Sequence, residues 1–389
     1  MSRPLRHLTP ESGFLNDPTG LVSLDDGWHA WYQLSPSSTH GDVAWGHAVS
    51  DDLLRWRHLP VSIPSDDEEE VWTGSVVVDS DDTAGFGAGA LVAAYTRHEK
   101  LRPRQSQALA VSTDGGITWH KQGIVLDIGS TDFRDPRVLR HDGRWVMVVA
   151  RALEDAIAVY TSADLGRWDH AADIVMPPGD GRPWECPDLF PLGDRWVLLV
   201  SREPATYVLV GDFDGTRFVA ATELQPLDAG PDLYAAVTFA GERRVLLGWL
   251  DNWAYAQVLP TEPWRGQLSC GRELRLAVAA DGTPYVGQRP VGPVTPVRLE
   301  EPVELAPGVL ASYDAGLVRL TRSPEVVAGW AGTWLLPSPS AVVDVVVDTH
   351  SVEVFTLDGR SASLHTLPPG ERDRDEWGPD HGVGFPEQS

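Results

Sequence analysis

The apolar positions of this chain fall into short runs of strand length, separated by turn residues. There are 37 glycines and 31 prolines, spread along its whole length. No long stretch keeps a helical period, so the pattern predicts an all-β fold with many turns. Two elements recur. One is a turn leading into an aromatic-led or aliphatic strand: Asp26-Gly-Trp28, Asp142-Gly-Arg-Trp145, Gly193-Asp-Arg-Trp196 and Gly241 to Trp249. The other is a polar turn that ends in an aromatic. Its closing residues, Trp56, Trp119, Trp168 and Phe218, are spaced by 63, 49 and 50 residues. A four-stranded propeller blade takes roughly 40–50 residues. The repeats therefore predict a five-bladed β-propeller with a narrow axial channel, assigned to residues 1–278. Shorter alternating strands follow, among them Ala341–Val347 and Ser351–Phe355. They read as a short β-sandwich over 279–367. The Pro-, Gly- and acid-rich stretch 368–389 reads as a mobile tail.

Three acidic residues share one phase of this repeat. Asp17 precedes Trp28 by 11 residues, Asp135 precedes Trp145 by 10, and Glu185 precedes Trp196 by 11. On inner strands of three different blades they converge on the axis. Converging carboxylates are the tool for breaking glycosidic bonds. Local sequence suggests a division of labour. Asn16 beside Asp17 offers a donor that favours an ionised nucleophile. Trp184 and Cys186 flank Glu185 with apolar surroundings that suit a proton-carrying acid. Arg134 next to Asp135 favours a carboxylate that grips sugar hydroxyls and developing positive charge.

The chain carries 31 Lys and Arg against 56 Asp and Glu, a formal charge of −25. That excludes the basic footprint of a nucleic-acid binder and disfavours an anionic membrane surface. A neutral carbohydrate substrate fits. The two cysteines, Cys186 and Cys270, form no disulfide framework, and neither sits in a metal-ligand spacing. Residues 1–10 contain no apolar leader region, and no segment has the length of a membrane span, which gives a cytoplasmic protein as the expectation. Oligomeric state is not encoded in these patterns.

The motifs resemble those of the family 32 glycoside hydrolases, the invertases, levanases and inulinases. Asn16-Asp17-Pro18-Thr19-Gly20 resembles that family's Asn-Asp-Pro-Asn-Gly box, Arg134-Asp135-Pro136 its Arg-Asp-Pro motif, and Glu185-Cys186 its Glu-Cys motif. Further likenesses run from Trp31-Tyr32-Gln33 through Asp232-Leu-Tyr-Ala235 to Ser351–Phe355, covering roughly residues 7 to 357. The resemblance implies Asp17 as nucleophile on a β-fructosyl unit, Glu185 as acid and then base, and Asp135 as transition-state stabiliser. It implies Asn16, Gln33 and Arg134 as the polar grip on the sugar, with Trp45 and Trp72 as apolar walls and Thr73 beside them. The resemblance also implies that neither a metal nor an organic cofactor is needed. Three stretches depart from the family pattern: Thr19 for Asn, Trp72-Thr73 for Phe-Ser, and Cys270-Gly271 for Leu-Pro.

The expected activity is that of a retaining β-fructosidase acting on sucrose, short fructo-oligosaccharides or fructans. Two alternatives share the fold: a fructosyltransferase that passes the same intermediate to a sugar, and a non-catalytic carbohydrate-binding propeller. Several residues read more simply as scaffold. Trp28, Trp145, Trp168 and Trp196 are expected in blade cores, and His47 in a structural hydrogen bond. Asp66–Glu70 is expected as a solvated loop, and Cys186 as a small buried neighbour of the acid.

Overall fold

The computed structural model describes residues 2–366, apart from 179, 242 and 328–329. The stretch read as a tail, 368–389, lies outside the described residues. Five antiparallel sheets follow one another along the chain, each a blade. The inner strands are Gly13–Leu24, Glu69–Asp79, Phe133–His141, Glu185–Leu192 and Tyr234–Thr238. They pack in sequence order, first on second through fourth on fifth, and the fifth returns to the first. The ring is fastened by backbone pairing. The short strand Trp264–Arg265 lies parallel to Gly13 and Phe14, adding a fifth strand to the first blade. The sharp turn after it needs Gly266, because a Cβ there would meet Leu15 O at 1.8 Å.

The fifth blade corrects the domain boundary drawn from sequence. Its outer strands are Arg272–Val278 and Pro284–Pro290, so it extends beyond residue 278. The cause is the segment between Trp249 and Arg272, which holds a 3₁₀ turn at Ala256–Val258 and the fastening strand. That insertion delays the blade's second hairpin and hides its rhythm.

Turn chemistry explains why blades one to four repeat. In each, an aspartate accepts backbone N–H bonds in the hairpin joining the third and fourth strands: Asp52 from Leu54 and Arg55, Asp114 from Ile117 and Thr118, Asp164 from Gly166 and Arg167, Asp214 from Thr216 and Arg217. A carboxylate that satisfies two otherwise unpaired donors makes a local, sequence-encoded turn. The tryptophans expected in blade cores pack there. Trp145 and Trp168 join the cluster around Val138 and Met147, Trp196 packs on the cluster around Leu198, and Trp28 meets Phe239 edge-on. His47 is buried, stacked on Trp31 at 4.1 Å and bonded to His29.

The second domain is a sandwich of two four-stranded sheets. One orders Thr295–Arg298, Val342–Asp348, Ser351–Thr356 and Ser361–His365. The other orders Val303–Ala306, Val309–Asp314, Leu317–Arg322 and Gly332–Pro337. Alternating Val, Leu and Ala side chains form its core. Two buried arginines bind it to the propeller. Arg272 on the fifth blade reaches Glu353, Ser361 and Ser363 of the sandwich and also Asp228. Arg322 of the sandwich reaches Asp232 at 2.7 Å. No helix among the described residues is long and apolar enough to cross a membrane.

Candidate active site

Every inner strand carries an extra residue at the same level. The register with its neighbour slips between Leu15 and Pro18, Trp72 and Gly74, Arg134 and Arg137, Glu185 and Asp188, and Tyr234 and Val237. Asp135, Cys186 and Ala235 take left-handed backbone angles there, with φ of 64°, 50° and 49°. At the second strand the slip requires glycine, since a Cβ on Gly74 would stand 2.0 Å from Ala94 O. Bulges of this kind re-aim side chains beside active sites, and non-glycine residues hold such angles only when their surroundings impose them. Here they break the in–out alternation, so that side chains adjacent in sequence join one polar cluster.

The three acids meet in that cluster. Asp17 Oδ2 accepts from Thr73 Oγ1 at 2.7 Å and from Gln33 Nε2 at 3.1 Å, and Oδ1 accepts from Asn16 Nδ2 at 3.1 Å. Asp135 Oδ2 accepts from the backbone N–H of Cys186 at 2.9 Å. The Cys186 thiol lies 3.5 Å from Asp17 Oδ2 and 3.5 Å from Asp135 Oδ2, bridging blades one and three from blade four. Glu185 Oε1 accepts from Arg134 Nε at 2.9 Å, and Oε2 from the Tyr234 hydroxyl at 2.6 Å. Its side chain keeps 22% exposure while Asp17 and Asp135 are buried, so Glu185 stands nearest the mouth.

Electrostatics divides the acids differently from the sequence reading. Burial pushes Asp17 up to about 6. Bonds from Thr73, Asn16 and Cys186 pull against burial, and the charge of Glu185 adds to it. Asn16 therefore acts as expected but is outweighed. Burial pushes Asp135 up to about 7, helped by Glu185 and Asp17 and opposed by Arg134. The surroundings of Glu185 also need correction. Trp184 turns into the core of blades three and four, and Cys186 turns toward the other two acids. The groups that bond Glu185 are thus a guanidinium and a phenol, not apolar neighbours.

Of the expected sugar contacts, Asn16, Gln33 and Thr73 lie around Asp17, with Gln33 Nε2 also bonding Thr73. Asn16 Oδ1 and Gln33 Oε1 have no hydrogen-bond partner among the described residues. Arg134 is engaged by Glu185, Gln105 and Asp132 rather than standing free over the sugar site. Trp45 is 0% exposed, packed against Tyr95 and donating to Trp72 O, so it supports the wall and offers no ring face. Trp72 is half-buried, stacked on His98 at 4.2 Å, with its indole N–H on Glu70. His40 and Trp253 continue this aromatic rim. Glu69 and Glu70 belong to the inner strand, and Glu69 is buried against Arg97, Lys121 and Tyr95. Asp66, Asp67 and Glu68 stay exposed outside the strand, as expected of a solvated loop, but Glu69 and Glu70 do not.

Just beyond the acids the channel is stoppered. Arg137 Nε meets Asp188 Oδ1 at 2.8 Å, and Nη2 donates to Thr238 O at 2.6 Å. The second bond joins blades three and five, which are not neighbours, so it crosses the lumen. Asp188 Oδ2 accepts from both the N–H and the hydroxyl of Thr238. A cavity of about 500 Å³ lies past this crosspiece, with Arg137, Arg140, Arg244 and Trp145 among its lining residues, and contains none of the three acids.

Residues 7–290 match the model of the glycosyl hydrolases family 32 N-terminal domain. The chain belongs to glycoside hydrolase family 32. This family 32 chain is 39% identical over 328 residues to the levanase of Bacillus subtilis, a match covering 76% of the chain and 48% of the levanase. It is 36% identical to the invertase of Debaryomyces hansenii over 306 residues, 71% of the chain and 57% of the invertase. It thus spans about half the length of these relatives. Among solved structures, exo-inulinase from Aspergillus awamori superposes with a TM-score of 0.84 at 26% identity, covering 94% of the chain and 93% of the inulinase. The β-fructofuranosidase of Schwanniomyces occidentalis, complexed with fructosyl-erythritol, does so with a TM-score of 0.81 at 25% identity, covering 94% and 91%.

Tyr234 and the bridging role of Cys186 are what sequence reasoning missed. Tyr234 stood within the Asp232–Ala235 likeness, at the matching level of the fifth inner strand. Its signal was that position, since it belongs to no acid motif.

Proposed function

We propose that the protein is a retaining β-fructosidase that hydrolyses terminal β-fructofuranosyl linkages of sucrose, short fructo-oligosaccharides or fructans. The observation that carries this reading is the pairing of unlike carboxylates on one funnel. Asp17 is buried under fixed donors, while Glu185 is held by Arg134 and Tyr234 nearer the mouth. With its titration near 6, Asp17 is mostly ionised at neutral pH and able to attack the anomeric carbon. Glu185 gives a proton to the leaving oxygen, then takes one from the incoming water. Burial, with Glu185 and Asp17 beside it, raises Asp135 and favours its protonated form, which can donate to fructose hydroxyls as well as accept from them. Asn16 Oδ1 and Gln33 Oε1 supply acceptors that have no competing partner among the described residues. The net charge of −25 favours a neutral sugar over an anionic one.

Product analysis with sucrose, inulin and levan in parallel, with Asp17→Ala alongside, tests the reading. Free fructose with equimolar glucose from sucrose, absent in the variant, is the expected result. Fructo-oligosaccharides or a cyclic difructose as the main product would move the reading to a transferase. Sugar binding without turnover by the wild type would move it to a binding module.

A further inference from the structure

We propose that Tyr234 is a positioning residue for the acid–base step, and that the proton handled by Glu185 resides on Oε2, the oxygen Tyr234 faces. The inference rests on the β-fructosidase reading and specifies which atom moves the proton.

Both oxygens of Glu185 have a partner, and the partners differ in kind. Arg134 Nε donates to Oε1 at 2.9 Å, and Tyr234 donates to Oε2 at 2.6 Å. A guanidinium only donates, whereas a phenol both donates and accepts. In the neutral acid one oxygen is a carbonyl and the other a hydroxyl. The donor-only Arg134 claims the carbonyl, which leaves the hydroxyl on Oε2. Tyr234 can bond either form, by donating to the carboxylate or by accepting from the acid.

The steps then balance. In the first, Asp17 bonds to the anomeric carbon, the glycosidic C–O bond breaks, its electron pair goes to the leaving oxygen, and the proton on Oε2 follows. In the second, water oxygen attacks the same carbon, the Asp17 ester bond returns its electron pair to Asp17, and Oε2 takes the water's proton. Tyr234 keeps its own proton throughout, since burial and the nearby Glu185 push the phenol well above its ordinary value.

The surroundings single out this residue. Arg134 and Asp135 of the third inner strand, Asp17 of the first, Cys186 beside the acid, and His40 at the rim all act on the charge of Glu185. Glu203 adds its charge at Tyr234. Among the described residues only Arg134 and Tyr234 hydrogen-bond the carboxylate itself. The bulge at Ala235, in the left-handed region, follows Tyr234 directly.

The test is Tyr234→Phe, made in the wild type and in Glu185→Gln, with pH profiles of kcat/KM for sucrose and for an activated aryl fructoside. Losing the donor destabilises the carboxylate form, so the basic limb should move up by roughly half to one pH unit while the acidic limb stays in place. kcat on sucrose should fall about tenfold with little change in KM, and release of the activated aryl group should be spared. In Glu185→Gln the same substitution should change rates less than about twofold, because the two act as one unit. Unmoved limbs, or an equal loss in both backgrounds, would overturn the proposal and leave Tyr234 a structural role. Should Tyr234→Phe fail to fold, a fluorinated tyrosine at 234 keeps the shape and strengthens the donor. The basic limb must then move down, and no movement counts against the idea. A wild type that turns over no fructoside at all would instead sink the β-fructosidase reading and this inference with it.

Discussion

Asp17 shows how a single residue here balances two demands. Burial raises its titration to about 6, and three donors restrain that rise. As the proposed nucleophile Asp17 must be ionised, so kcat/KM should climb with pH along a limb centred near 6. Thr73 gives Asp17 its shortest hydrogen bond among the described residues, 2.7 Å. Thr73→Val removes a donor to the charged form, so the limb should shift upward by roughly one pH unit, read from a kcat/KM profile on sucrose. An unmoved limb would mean that Asp17 does not set it. The same titration bears on stability with the opposite sense. The native state keeps a proton on Asp17 that the unfolded chain releases near 3.8, so this group's contribution weakens as pH rises from there through 6. At this scale the three acids were legible in the sequence, because motif and phase agree. Their environments were not. An alternating strand would have placed Trp184 and Cys186 together, opposite Glu185. The bulge at Cys186 instead sends the thiol to Asp17 and Asp135.

Elements were the most readable level. Blades one to four announce themselves through hairpins whose aspartates tie down two backbone N–H groups each, and that chemistry is local in sequence. Asp114 shows its strength: bonds from the Thr118 hydroxyl and N–H hold its carboxyl down to about 2. The depressed value means that its contribution is complete above about 3.8 and fades as pH falls toward 2. Asp114→Ala should cost about 1 kcal/mol at neutral pH, comparable to losing a helix cap, with screening keeping it from being larger. Urea midpoints at pH 7 and pH 3 check this, since the gap between variant and wild type should narrow at the lower pH. The fifth blade was harder to read because its two hairpins are parted by the segment that fastens the ring. Its closure depends on backbone pairing between distant residues, which leaves no periodic trace. Glu69 and Glu70 misled for a related reason: a run of acids reads as solvated until Arg97 and Lys121 fold over Glu69.

At the scale of the whole molecule, propeller and sandwich share buried charge. Glu353 receives Arg272, His7 and the N–H of Cys270, and is wholly buried. Burial would raise Glu353, but Arg272 and His7 hold it down to about 2. Burial would lower His7, but Asp348 and Glu353 hold it up to about 9. Glu353→Gln leaves two cations without their shared partner, a change that costs about 3–5 kcal/mol when such a pair is broken. Calorimetry should show a lower unfolding temperature, and limited proteolysis should show earlier cleavage between propeller and sandwich. His7 adds an alkaline sign. Its contribution is complete below about 6.5 and is lost as pH rises through 9, so the wild type should soften over that window. None of these partners was legible in advance, because His7, Asp228, Arg272 and Glu353 are far apart in sequence and meet only once the domains dock. The crosspiece of Arg137, Asp188 and Thr238 was equally hidden. It leaves the funnel with a single doorway. On the proposed β-fructosidase reading, fructose would then leave by the way it entered, and the water that frees it would first pass the departing sugar. Under that reading traffic is in single file: a crowd of sugar at the threshold should delay clearance and favour handing the fructosyl group to the hydroxyl next in the queue.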